Sequence, residues 1–200
     1  MRVEHLVIQK MQRLSAATLC LLLLSCSKPP AEWQEEVKLS SGKVIVISRQ
    51  TDYVSGGAEW AQNPDLQTPD ICHLRFTYPV DSGSQVEWRS KPESRGLYPE
   101  SPLVFDFENG APVVIAVGSR SRQCPEYRRY IYLNSTWKRQ PLLARDWDRK
   151  SNLLFDSSNE YLITLEKKEQ MNASGSYAKW LKNIDPSVDG CHELSIEKGE

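Results

Sequence analysis

Long apolar runs are missing from this 200-residue chain. The N-terminal apolar run, Leu14 to Leu24, carries no charge and is about half of the roughly 20 residues that a helix needs to cross a bilayer, which argues against a spanning anchor. Histidine is scarce at three residues, and beyond the first 25 positions only His73 and His192 remain. A Ser-His-Asp or Cys-His relay would have to use one of these two as its base. Gly-x-Ser-x-Gly turns, His-Glu-x-x-His pairs and phosphate-cradling glycine loops are all absent. The five cysteines include no Cys-x-x-Cys pair. The dipeptides Cys72-His73 and Cys191-His192 do not replace one, because neighbours on a strand point to opposite faces. Neither a metal nor a cofactor is therefore expected. Charge of one sign is not in excess either: the formal net charge of −1 argues against a dedicated nucleic-acid binder. No internal repeat at a fixed period is visible, which weakens a propeller reading.

The N-terminus is where the chain is most specific. Arg2, Lys10 and Arg13 precede the apolar run, which closes on Leu23, Leu24, Ser25 and Cys26. This arrangement resembles the lipobox of bacterial lipoproteins. The resemblance implies cleavage before Cys26, a diacylglycerol on its thiol and an acyl group on the new amino terminus, with residues 1–25 removed as a signal peptide. Cys20 is a rival site, but Leu19 before it is bulky where processing needs a small residue, and Ser25 supplies one. Met11 would serve equally well as a start. Ser27 after the lipidated cysteine resembles outer-membrane sorting, so the expected habitat is the outer membrane, with the protein anchored by lipid and facing the periplasm. One acyl chain holds a protein only marginally, whereas two or three hold it effectively for good. Residues 26–32 then form a lipidated tether whose prolines, Pro29 and Pro30, favour an extended backbone. The signal carries three of the 25 basic residues and one of the 26 acidic ones, which leaves a mature net charge of −3.

Residues 33–200 have the length of one domain with a sufficient core. They read as mainly β (α+β), an antiparallel β meander forming a sandwich or partly closed barrel, with a short C-terminal helical segment. Gln34–Leu39 and Lys43–Arg49 flank a Ser-Ser-Gly turn and predict a hairpin. Residues 50–70, with Gly56, Gly57, Pro64 and Pro69, predict a long surface loop. Over 71–78, Cys72, Leu74, Phe76 and Tyr78 alternate with His73, Arg75 and Thr77, the period of a half-buried strand. Val86–Arg89 is a weaker strand. Leu103–Phe107 and Pro112–Val117 bracket Asn109-Gly110, and Tyr127–Leu133 and Trp137–Leu143 bracket Asn134, Ser135 and Thr136, predicting two further hairpins. Leu162–Met171 predicts a helix with Thr164 as cap, the alternative being a strand over Tyr161–Leu165. Tyr177–Ile184 predicts a second helix presenting Tyr177, Trp180, Leu181 and Ile184 on one side.

With Cys26 acylated, Cys72, Cys124 and Cys191 remain in an oxidising compartment. Cys72 falls on the apolar side of its strand, so a Cys124–Cys191 bridge is the expected pairing, with the other connectivities and the unbridged chain open. From Ser119 to Arg145, Arg120, Arg122, Arg128, Arg129, Lys138, Arg139 and Arg145 face one acid, Glu126. Interleaved with Tyr127, Tyr130 and Tyr132, they predict a basic, aromatic face suited to an anionic ligand or an acidic envelope protein. The alternative is a solvated face balanced by acids elsewhere in the fold. Asp146 and Asp148, flanking Trp147, predict a solvated turn. The expected function is a non-catalytic binding or accessory module of the envelope. The alternative is an envelope hydrolase with its site in the 50–70 loop, which holds Asp52, Glu59, Asp65 and Asp70.

Overall fold

A computed structural model of the chain describes residues 31–55, 67–79, 83–92, 98–119, 125–147, 149–155, 158, 160–174 and 184. The predicted signal segment and Cys26 lie outside the described residues, as do Arg120, Arg122, Cys124, Cys191 and, apart from Ile184, the predicted second helix.

The first sheet begins as a meander of β1 (Ala31–Lys38), β2 (Val44–Ser55), β3 (Gln67–Tyr78) and β4 (Ser84–Ser90). The second is a meander of β5 (Ser101–Glu108), β6 (Ala111–Ser119), β7 (Pro125–Leu133) and β8 (Thr136–Gln140). A two-residue strand, β9 (Leu162–Ile163), adds to the first sheet in parallel with β1, giving the order β4-β3-β2-β1-β9. The helix α1 (Leu165–Ala173) follows directly, capped by the Thr164 side chain, which accepts from the Lys167 N–H at 3.2 Å. The segment predicted as helix is thus divided, and the competing strand reading holds for its first two residues.

The two sheets face each other across one core. Val37, Ile47, Leu74, Phe76 and Trp88 from the first sheet meet Phe105, Val114 and Ala116 from the second. These positions follow the period-two alternation of their strands, so one face of each sheet is apolar and must be covered. The Phe76 ring lies 4.5 Å from that of Phe105, centroid to centroid. The outer face of the second sheet is covered too, by Leu142, Trp147, Phe155 and Ile184 packed over Leu103, Ile115 and Val117. Arrangement in two layers with separate edges makes this a sandwich and not a closed barrel.

The predicted 50–70 loop is shorter than expected. β2 continues to Ser55 and β3 starts at Gln67, paired through Val54↔Thr68 and Ser55↔Gln67. Backbone pairing with a neighbouring strand carries the extension, which apolar alternation does not mark. A register shift at Asp52/Tyr53 places Pro69 opposite Tyr53, where an irregularity tolerates a residue without an N–H.

Candidate functional site

Strand β7 carries the predicted basic, aromatic residues, and the strand's own geometry separates them. Arg128, Tyr130 and Tyr132 point toward the first sheet, where the Tyr130 ring meets Trp88 and the Tyr132 ring meets Tyr78. Tyr127 and Arg129 point the other way, Tyr127 against Trp147. Arg128 grips Glu126 with Nε and Nη2, both at 3.1 Å, and reaches Glu100 with Nη1 at 2.5 Å. Arg129 is buried and donates to Glu108 at 2.5 Å and to Gln140, with the buried Asp146 carboxylate 3.4 Å away. Glu108 also pairs with Arg145, and Glu126 with Arg139 at 3.3 Å. For the described residues the expected single basic face is therefore corrected: the arginines of β7 lie on opposite faces, paired with Glu126 on the same strand and with Glu100, Glu108 and Asp146 from elsewhere in the fold. Asp146 is likewise no solvated turn residue. It is buried in a 3-10 turn, Ala144–Asp146, where its carboxylate accepts from the Leu143 N–H at 2.8 Å. Asp148 lies outside the described residues. Tyr130 donates its hydroxyl to Glu100 at 2.6 Å, and burial, followed by that carboxylate, pushes its phenol above the usual range.

Two more polar clusters hold the first sheet. Buried Glu35 joins Arg49 at 2.6 Å and Lys168 at 2.7 Å, and it accepts the Leu154 N–H at 3.0 Å. Lys168 also donates to the carbonyls of Glu36 and Asn152, tying α1 to the sandwich. Burial lowers the Lys168 ammonium from its ordinary value, opposed by the Glu35 charge and hydrogen bond. On the outer face, His73 lies between Asp52, 3.0 Å from Nε2, and Glu87, 2.8 Å from Nδ1. Arg75 bridges Glu87 and Gln50, each at 2.7 Å, and Gln50 donates to Asp52 at 2.6 Å. Both ring nitrogens of His73 are engaged, so neither is presented to a substrate. Among the acids of the 50–70 loop, Asp52 and Asp70 lie on β2 and β3, and Glu59 and Asp65 lie outside the described residues.

A groove of about 550 Å³ opens at one end of the sandwich. Its walls are the start of β4, the end of β3 and the turns of the β5–β6 and β7–β8 hairpins. Asn109-Gly110 has φ of 50° and 80°, and Asn134-Ser135 has 52° and 62°, the positive values that two-residue turns of type I′ require. The Asn-Gly signal in the sequence therefore marks its turn correctly. Tyr78 links the sheets here, donating its hydroxyl to the Gly110 carbonyl at 2.9 Å and stacking on Phe107 at 5.9 Å. Tyr132 stands edge-on to Tyr78 at 6.2 Å and leans on Trp137 at 5.2 Å. Trp137 in turn donates to the Glu87 carbonyl at 2.7 Å. All eleven described lining residues are uncharged. Of the predicted binding residues that are described, Tyr132 alone lines this groove. Tyr78, Asn109 and Asn134 read in sequence as core and turn residues, and their meeting at one end depends on sheet packing that no local pattern records.

No protein-family model matches the chain, and no curated protein and no solved structure matches it.

Proposed function

We propose that the chain is a lipid-anchored protein of the bacterial envelope, held in the outer membrane and facing the periplasm, that works as a non-catalytic binding module. The lipobox-like Leu23–Cys26 stretch and Ser27 support the anchor. One observation supports the binding role above the others: the groove lies at the end of the sandwich opposite Ala31, where the tether joins. β1 runs from Ala31 to Lys38, and the antiparallel registers put Tyr78 and Ser84 at the Lys38 end. Eight extended residues span roughly 25 Å. The four residues between Cys26 and Ala31 add a reach of only about 15 Å at the spacing of an extended proline-containing chain. A domain held this close to a membrane keeps a binding site clear of the lipid by carrying it on the far end.

Mass spectrometry of protein extracted in detergent tests the anchor. The expected product starts at Cys26 and carries a diacylglyceryl group and an N-acyl chain. An unmodified thiol at Cys26 or a retained leader would overturn this account of the habitat.

A further inference from the structure

We propose that the groove between Tyr78 and Tyr132 binds a neutral saccharide. The assignment deepens the reading of the chain as a binding module and rests on it. The first argument is charge. In a chain with 26% charged residues, all eleven described residues lining the groove are uncharged, so none of them would neutralise a phosphate, a carboxylate or an ammonium group. The second is the pair of tyrosines, whose rings meet at 89° and make a corner at the groove wall. The face of an aromatic ring is electronegative and attracts weakly positive C–H groups, which a pyranose ring presents together on one side.

The rim supplies what the rest of a sugar requires. Ser84, Gln85, Asn109, Asn134 and Ser135 carry hydroxyl and amide groups that make no side-chain hydrogen bond to the protein among the described residues. A primary amide both donates and accepts, as a sugar hydroxyl does. Asn109, Asn134 and Ser135 sit on two-residue turns, and Ser84 and Gln85 at the start of β4. All three non-glycine residues with positive φ among the described residues, Asn109, Asn134 and Ser135, line the groove. Asn is at ease in that conformation, and Ser is not. The β5–β6 turn has Gly110 at its second central position, where the β7–β8 turn has Ser135 at φ 62°. A strained residue held at a site is a pointer to use, and here the strain keeps a hydroxyl at the groove's edge. The volume of about 550 Å³ suits a ligand of a few sugar rings.

Calorimetry of the full lipidated chain in micelles of a detergent without a sugar headgroup tests the assignment, with neutral trisaccharides of N-acetylglucosamine and of glucose as probes. Sedimentation with purified cell-wall sacculi forms a second arm, which separates a polymeric source from a free one. Saturable binding is expected in at least one arm. Tyr132→Leu should weaken it at least tenfold. Asn134→Gly and Ser135→Gly, both compatible with the turn, should weaken it several-fold, and Ser135→Gly should also raise the Tm. Absence of saturable binding in both arms by a chain with an intact melting transition overturns the saccharide assignment, as does binding that all three substitutions leave unchanged. If Cys26 is lipidated and no sugar binds, only this assignment falls. If sugar binds to a chain with an unmodified Cys26, the groove stands and the anchored reading falls.

Discussion

A Cβ added to Gly83 would lie 1.9 Å from the carbonyl carbon and oxygen of Tyr78 and 2.2 Å from the nitrogen of Pro79. These are backbone atoms, which cannot swing aside as a side chain does. Gly83 is held there by its own N–H, which donates to the Pro79 carbonyl at 2.8 Å. Gly110 differs: a Cβ there meets nothing within 4 Å, and the obstacle is the positive φ of 80° alone. Gly83→Ala is therefore expected to destabilise by about 1–3 kcal/mol or more through overpacking. Gly110→Ala should lose only about 1–2 kcal/mol, the penalty of left-handed backbone for a residue with a Cβ. Urea unfolding of the two variants checks the order, and a Gly110→Ala loss exceeding that of Gly83→Ala would contradict it.

At the scale of the element, β7 shows how a strand turns a run of like charges into separate structural pairs. Arg129 faces the 3-10 turn and Arg128 faces the first sheet, and each is met by carboxylates distant in sequence: Glu108, Asp146 and Glu100. Removing Arg129 takes the cation from the buried Asp146 and leaves Glu108 with the exposed Arg145 alone, and breaking a buried pair from one side costs about 3–5 kcal/mol. Arg129→Met is expected to lose stability on that scale. Arg139→Ala on β8 removes a side chain that is 48% exposed and should change stability by roughly 0.5 kcal/mol or less. Chemical denaturation distinguishes the two, and a nearly unchanged midpoint for Arg129→Met would show that the pairs contribute little.

Across the whole molecule, the response to acid reports on the network spanning β2, β3 and β4. Burial raises the Asp52 carboxyl, but hydrogen bonds from Gln50 and His73, with the charges of His73 and Arg75, outweigh it and leave the group below its ordinary value. Glu87 behaves alike: burial raises it, and hydrogen bonds from His73 and Arg75 with the charges of both bring it lower. A carboxyl depressed by folding stabilises the folded state fully above its unfolded value, near pH 4, and that contribution is lost as the pH falls through the folded value. Melting temperature is thus expected to drop on acidification below about pH 4. The drop should be shallower in His73→Gln, because both carboxyls lose a shared partner. Thermal melts between pH 2 and 7 are the measurement, and an identical acid limb in the two proteins would refute the coupling.

Much of the β architecture was legible in the amino-acid order, because the signals involved are local. Alternation over Cys72 to Tyr78 assigns inside and outside within one strand, and Asn109-Gly110 sets the turn between its two neighbours by its backbone preference alone. The end of β2 was illegible, since polar residues such as Thr51 and Asp52 stay extended only because β3 pairs with them. The same limit hid the fate of the arginines, whose neutralising acids stand up to 37 positions away. The groove was hidden too, since Tyr78 and Tyr132 belong to different sheets. The sequence by itself determined strand periodicity, hairpin turns and the helix cap, which depend on neighbours a few residues apart. The tertiary structure alone decided which charges cancel and which uncharged side chains share the end of the sandwich, because both depend on how two separately formed sheets pack face to face.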